Sequence, residues 1–263
     1  MLSSLIVERD GAIVVLRLNR PERRNAINQD FMLEIERAAL ALRDDETCRA
    51  VIICGEGPHF SVGADLAPAS ATPAPPPSLL MRRRSLELGA RLMRAIQEIP
   101  QPTIASVHGV AAGAGACIAS AADFRVASRS ARVSYGEVRL GMSLMWNALP
   151  VCVSLVGPAR AKQMLMSGAL FEAPLLERWG FFDEIVPEGD LARTALAWAQ
   201  RYASLPPVPV QMIKKSVNAV AGALDGSIMH MDADQFLLTQ STGDFAEAVN
   251  AFLEKRPGSY KGT

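Results

Sequence analysis

Two glycine-rich turns, each directly after an apolar β-prone run, restrict this chain more than any other feature of its sequence. The first is Gly55-Glu-Gly-Pro-His-Phe-Ser-Val-Gly-Ala-Asp-Leu66 after Ala50-Val-Ile-Ile-Cys54, and the second is His108-Gly-Val-Ala-Ala-Gly-Ala-Gly-Ala-Cys-Ile-Ala119 after Thr103-Ile-Ala-Ser-Val107. Runs of this kind are the buried strands of an α/β sheet, and such folds place ligands at the carboxyl ends of their strands. Glycine lets backbone N–H groups turn inward without a Cβ in the way. Two N–H groups that converge on one point form an oxyanion hole, which stabilises charge on a carbonyl oxygen as it becomes an enolate or a tetrahedral oxyanion.

The segments around these turns alternate. Leu5-Ile-Val7 and Ala12-Ile-Val-Val-Leu-Arg-Leu18 flank Asp10-Gly11, a dipeptide that favours a tight hairpin. From Asn28 to Leu42, Phe31, Ile35, Ala38, Ala39 and Leu42 share one helical face, with Asn28 as N-cap. Ala67 to Ser78 holds Pro68, Pro73, Pro75, Pro76 and Pro77 among small side chains, which predicts a mobile loop with little to bury against its ordering entropy. A helix is expected from Leu79 to Ile99 on Leu86, Leu88, Leu92, Met93 and Ile96, and Arg82, Arg83 and Arg84 near its start read as a solvated face in preference to a phosphate site. Ala116 to Ala122 reads as a small-residue helix, Phe124 to Ala127 as a short strand, and Val133 onward as a loop carrying Tyr135-Gly-Glu137. Three to four helices up to Gly180, a strand Phe181 to Val186 and helical bursts from Leu191 to Leu253 complete the pattern. The expected fold class is α/β, a spiral of ββα units over residues 1–200 with a helical C-terminal region over 201–263.

The charge balance bears on partners. Twenty-seven Lys and Arg against 27 Asp and Glu argue against general nucleic-acid binding, which needs a basic excess. Cys48, Cys54, Cys117 and Cys152 stand apart, without zinc-ligand or disulfide-framework spacing. With no apolar run long enough to cross a bilayer and no signal-like start, the expectation is a soluble, cytoplasmic protein with a small-molecule partner.

Phe60-Ser-Val-Gly-Ala-Asp-Leu66, the Gly109-to-Arg125 segment, Leu18-Asn-Arg-Pro-Glu-Arg-Arg-Asn-Ala-Ile27 and the end, Ala251 to Gly262, together resemble the crotonase, or enoyl-CoA hydratase/isomerase, superfamily. The resemblance covers nearly the whole chain. It implies a crotonase (ClpP-like) spiral with a C-terminal trimerisation region, and trimers or pairs of trimers. It also implies an acyl-CoA substrate, with no permanently bound cofactor and coenzyme A present only as part of the thioester. The adenine would lie against Val62, Ala64, Asp65 and Leu66. The phosphates would meet basic side chains near Arg24 and, across a subunit contact, the segment from Lys255 to Lys261.

The same resemblance assigns one oxyanion donor to the N–H of Ala64 and the other to that of Ala114, where the family usually has glycine. A backbone donor survives any side chain except proline, although a site needing positive φ would resist alanine. The family's hydratases carry two glutamates at the positions of Cys117 and Glu137; here the first is a thiol. Hydration across a conjugated double bond needs water held and deprotonated while a proton is supplied to the next carbon, a task for two carboxylates. Moving a double bond from the 3 to the 2 position needs one base, which takes a proton from C2 and returns it to C4 while the oxyanion hole holds the dienolate. The family's isomerases keep only the acid at the Glu137 position.

Cys117, among small apolar residues with no base in sequence reach, reads as a buried hydrophobe and not as a nucleophile. His59 and His108 are expected to bond backbone at the two turns, and His230 carries no role. Met145 stands where dehalogenase-type relatives place an aspartate, and Met142, Leu144, Met145 and Trp146 suit either an acyl-chain wall or plain core. The expectation is an enoyl-CoA isomerase with Glu137 as base; an enoyl-CoA hydratase and a non-catalytic acyl-CoA binder remain open beside it.

Overall fold

A computed structural model describes residues 4–65 and 77–263. The chain begins with β1 (Leu5–Asp10) and β2 (Ile13–Leu18), an antiparallel hairpin turning at Gly11, whose φ is +56°. Helix α1 (Gln29–Ala41) follows, with the Asn28 side chain accepting from the Phe31 N–H as an N-cap should. Strand β3 (Ala50–Gly55) leads into the first glycine turn. Helix α2 (Leu79–Gln97) starts at Ser78, whose hydroxyl caps the Met81 N–H. The expected mobile loop at Ala67–Ser78 lies, except for Pro77 and Ser78, outside the described residues.

Strand β4 (Thr103–Val107), strand β5 (Val110–Ala112) and helix α3 (Ala114–Ala121) form one ββα unit. Strand β6 (Phe124–Ser128) and strand β7 (Arg132–Ser134) open the next, which closes through a tight 3-10 turn (Glu137–Leu140) onto helix α4 (Ala148–Val156). Then come α5 (Pro158–Ser167), β8 (Phe171–Glu172), α6 (Ala173–Trp179), β9 (Glu184–Val186) and α7 (Leu191–Ala203). The C-terminal region is α8 (Pro207–Ala221), the short α9 (Gly226–Met229), α10 (Asp232–Gln240) and α11 (Gly243–Glu254).

The large sheet runs β1-β2-β3-β4-β6-β9, parallel except for the opening hairpin, and the small one runs β5-β7-β8. In each of the two ββα units the first strand joins the large sheet and the second joins the small one, which is the spiral expected from the alternation. Strand side chains point alternately to the two faces. Val14, Val51, Ile53, Ala105 and Ala127 belong to the core shared with α1, α2 and α3. Their neighbours Ile13, Ala50, Ile52, Ile104 and Val126 pack with Leu191, Ala195 and Ala199 of α7. With both faces covered, β3 and β4 are near-continuous apolar runs, as parallel strands require.

The strand expected from Phe181 to Val186 forms only over Glu184–Val186, and two expectations nearer the site also shift. The segment at Val133 is the end of a strand and not loop, and α3 begins at Ala114, two residues before the small-residue run suggested. Both changes follow from the small sheet: β5 pairs in parallel with β7, and the Gly113 N–H donates to Ser134 O at 2.8 Å.

Gly89, inside α2, has no room for a side chain. A Cβ there would lie 2.0 Å from the Trp146 indole. Glycine to alanine in a helix interior ordinarily stabilises by about 1 kcal/mol, but overpacking a filled site costs about 1–3 kcal/mol. Gly89→Ala is therefore expected to lower the melting temperature; a rise would mean that the indole is not seated against α2.

Candidate active site

Three strand-like segments run side by side at one end of the molecule. Ser61 of the first glycine turn bridges Ala111 of β5, its N–H donating to Val110 O at 3.1 Å and its carbonyl accepting the Ala112 N–H at 2.9 Å. β5 in turn pairs with β7. The continuation of each segment carries one member of the expected site: Ala64 after Ser61, Ala114 after β5, and Glu137 after β7.

The two turns touch through glycine. Gly63 has φ +102° and Gly113 φ +49°, and a Cβ built on Gly63 would stand 2.9 Å from Ala112 O. Both expected donor residues, Ala64 and Ala114, directly follow these glycines. The bridge between Ala64 and Ile27 runs through Gly63 O and the Asp65 N–H, so the Ala64 N–H is not spent on it. Ala114 is the first residue of α3, and a helix N-terminus leaves its leading amides without acceptors inside the helix. The positive φ falls on Gly113 and not on Ala114, so alanine costs the turn nothing. Gly115 cannot change in the same way, since its Cβ would meet Ser61 O at 2.4 Å.

Glu137 reaches the same place. Its Oε1 lies 3.2 Å from where a Cβ on Gly113 would stand, and Oε2 is buried with no hydrogen-bond partner among the described residues. Burial pushes this carboxyl up from 4.5 to about 7. Cys117, on the next turn of α3, is 2% exposed; burial first, and then the charges of Glu137 and Asp232, hold its thiol well above the usual range. It is the inert small residue expected.

Asn25, fully buried, ties the first turn in place. Its side chain accepts the Arg20 N–H and donates to Glu56 O and His59 O, each at 2.8 Å, and its own carbonyl accepts the Ser61 hydroxyl at 2.7 Å. The two histidines do bond backbone: His108 Nε2 sits 2.7 Å from Gly57 O, and His59 Nδ1 accepts the Val110 N–H.

Of the residues expected near coenzyme A, Arg24 and Val62 are joined by a backbone hydrogen bond of 3.2 Å. Asp65 pairs with Arg20 at 3.0 Å and Arg23 at 3.4 Å, which ties up much of that turn's positive charge; Arg24 is exposed. Leu66 lies outside the described residues. Lys255 is exposed at the C-cap of α11, its N–H donating to Phe252 O at 3.3 Å. Arg82 and Arg83 contact α10 through Gln240 and Asp234 on an exposed face, in keeping with the solvated reading. A cavity of about 760 Å³ lies elsewhere, between α8 and the ends of α2 and α3, and none of Ala64, Ala114 and Glu137 lines it.

Residues 8–263 match the family model described as Enoyl-CoA hydratase/isomerase. The chain is 33% identical to the crotonyl-CoA hydratase of Syntrophomonas wolfei over 98% of this chain and 97% of that protein. It is 30% identical to the 1,2-epoxyphenylacetyl-CoA isomerase of Escherichia coli, with full coverage of both. The crystal structure of an enoyl-CoA hydratase/isomerase from Pseudoalteromonas atlantica superposes with a TM-score of 0.83 at 26% identity, covering 98% of this chain and all of that one. The architecture is the crotonase fold, and the chain belongs to the enoyl-CoA hydratase/isomerase family.

The raised carboxyl makes stability depend on pH. The Glu137 proton is held more tightly folded than unfolded, so its contribution is full below about 4.5 and is lost as pH rises to about 7. Glu137→Gln cannot ionise and is spared this loss, which is about 3 kcal/mol at most. The stability of the variant relative to wild type should grow across that window and level off above it, as read by urea unfolding at a series of pH values. A constant difference would mean that the carboxyl is well solvated.

Proposed function

We propose that this protein moves the double bond of a 3-enoyl-CoA to the 2 position, with Glu137 as the single base and the Ala64 and Ala114 N–H groups as the oxyanion hole. The observation that carries the reading is the Glu137 carboxyl packed against Gly113, where the two turns that bear the proposed donors meet, with a thiol in place of a second acid. The carboxylate takes the proton from C2, the electron pair moves onto the thioester oxygen held by the two amides, and the carboxylic acid returns the proton to C4 as the 2-enoyl thioester forms. A base near the working pH balances proton affinity against availability. The Escherichia coli relative named as an isomerase supports isomerase chemistry in chains this similar.

A hydratase is the second reading, favoured by the name of the Syntrophomonas wolfei relative. Cys117→Glu discriminates: it restores the paired acids, and hydration of 2-enoyl-CoA is expected to rise above wild type. For assembly we favour a homotrimer or a dimer of trimers. Supporting it, α8 leaves Val208, Met212, Ile213, Val217 and Val220 each at least 59% exposed, more apolar surface than a lone helix leaves in water. Coenzyme A enters as part of the substrate, near Arg24, Val62, Ala64 and Asp65, and Lys255 belongs to a neighbouring subunit's share of that site.

Glu137→Gln should abolish isomerisation while acyl-CoA affinity is retained, because the amide matches the carboxylate in shape but cannot accept the C2 proton. Loss of a general base costs about two to four orders of magnitude. In wild type the rate should rise with pH through about 7, where the carboxylate forms. A variant that keeps more than about a third of the wild-type rate, far short of that loss, means that Glu137 is not the base. Binding without turnover of either enoyl isomer by wild type would instead favour a non-catalytic acyl-CoA binder.

A further inference from the structure

The segment from Gly141 to Asn147 continues directly from Glu137, and the Met142 N–H donates back to Glu137 O at 3.0 Å. The C-terminal helices hold it at three points. A Cβ on Gly141 would lie 2.8 Å from Phe245 Cα of α11, the Ser143 N–H donates to Thr239 Oγ1 of α10 at 3.2 Å, and the Asn147 N–H donates to Asp232 Oδ2 at 3.0 Å. The last contact joins residues 85 apart in sequence.

That third point is unlike the other two. Trp146 and Asn147 are both left-handed, at φ +71° and +57°, a conformation rare for an aromatic residue and rarer for two non-glycines in succession. Successive amides in such a turn converge on one side and suit an anion. Here the anion is the partly buried Asp232 carboxylate, which faces the amides of both residues from the first position of α10. The turn presses the Trp146 indole, 9% exposed, against Gly89 of α2. Asp232 also stands near enough to Cys117 for its charge to act on that thiol.

We propose that Asp232 is a positioning residue of the acyl-CoA site: its carboxylate holds the left-handed Trp146–Asn147 turn, and through it the loop that carries Glu137 at its other end. The proposal rests on the reading of Glu137 as the base. The hydrogen bonds that Asp232 accepts offset a backbone conformation that the sequence Trp-Asn disfavours, and the indole then fills the space that Gly89 leaves open. Release of the turn would let the loop relax between Thr239 and α4, and the carboxyl would lose its fixed approach to Gly113.

The test compares Asp232→Ala and Asp232→Asn with wild type. For Asp232→Ala, amide hydrogen exchange over 142–149 should quicken. Its kcat should fall about ten- to a hundredfold, the scale of a misplaced catalytic group, while the dissociation constant for butyryl-CoA changes by less than about threefold, as when only transition-state interactions are lost. Asp232→Asn keeps one acceptor oxygen in the same place and should recover most of the lost rate and protection. Wild-type exchange and kcat in Asp232→Ala would overturn the proposal. So would an equal loss of kcat in both variants with exchange unchanged, since the charge would then act by itself. If Asp232→Ala does not fold, Asp232→Ser, which retains a short acceptor, is compared with Asp232→Asn in the same way. If wild type turns over neither enoyl isomer, the reading of Glu137 fails, and the exchange measurement alone decides whether Asp232 holds the turn.

Discussion

The backbone contact between the two glycine turns is what the site depends on. Ser61 to Gly63 and Ala112 to Gly115 approach so closely that a Cβ on Gly63 or Gly115 would stand 2.9 Å or 2.4 Å from a carbonyl oxygen of the other turn. The contact is possible because β3 and β4 are adjacent parallel strands, so both chains leave the sheet at the same edge. It is fixed because Ser61 then bridges Ala111 of β5 through two backbone hydrogen bonds. The Ala64 and Ala114 amides, the proposed donors, thus lie on separate segments joined by backbone contact alone, and rigid backbone dipoles need little reorganisation when charge develops.

Around this contact the polar groups are mostly accounted for. Asn25 satisfies four partners from a fully buried position, and the Ser61 hydroxyl both donates to Asn25 O and accepts the Gly63 N–H. Buried polar groups without partners are costly, so such saturation stiffens the turn. Glu137 Oε2 is the exception at the site, buried and unpartnered among the described residues. Such a group calls for an explanation, and a catalytic role is one.

The sequence was most legible where a residue's own chemistry decides its conformation. The two strands before the turns, the Asn28 cap and the burial of Phe31, Ile35, Ala39 and Leu42 follow from periodicity and capping alone. Strands β5 and β7 were not legible, because three residues carry no periodicity and their pairing with each other is decided by the fold. For that reason the start of α3, and with it the helical conformation of Ala114, could not be read. The Trp146–Asn147 turn opposes local propensity, and its partner Asp232 is remote in sequence, so only the folded chain brings them together. Such conflicts between local preference and global fold gather at functional sites.

The thiol at Cys117 and the raised carboxyl at Glu137 are two sides of one physical choice. In a site with two facing acids, each carboxylate disfavours ionisation of the other, and the pair titrates as a unit. Here desolvation is the leading cause of the Glu137 shift, and no neighbouring acid contributes to it. A single carboxyl moved to about 7 by apolar surroundings is a stronger base than a solvated glutamate, yet still ionised in a useful fraction near neutrality. Leu144, Met145, Trp146 and Cys117 belong to one apolar cluster of the core, and burial keeps water from the Glu137 carboxyl. Water near it would return its pKa to the ordinary range and would also supply the nucleophile that hydration needs. The desolvation that would strengthen the proposed base thus also disfavours the competing reaction, which supports the proposal of proton transfer over water addition.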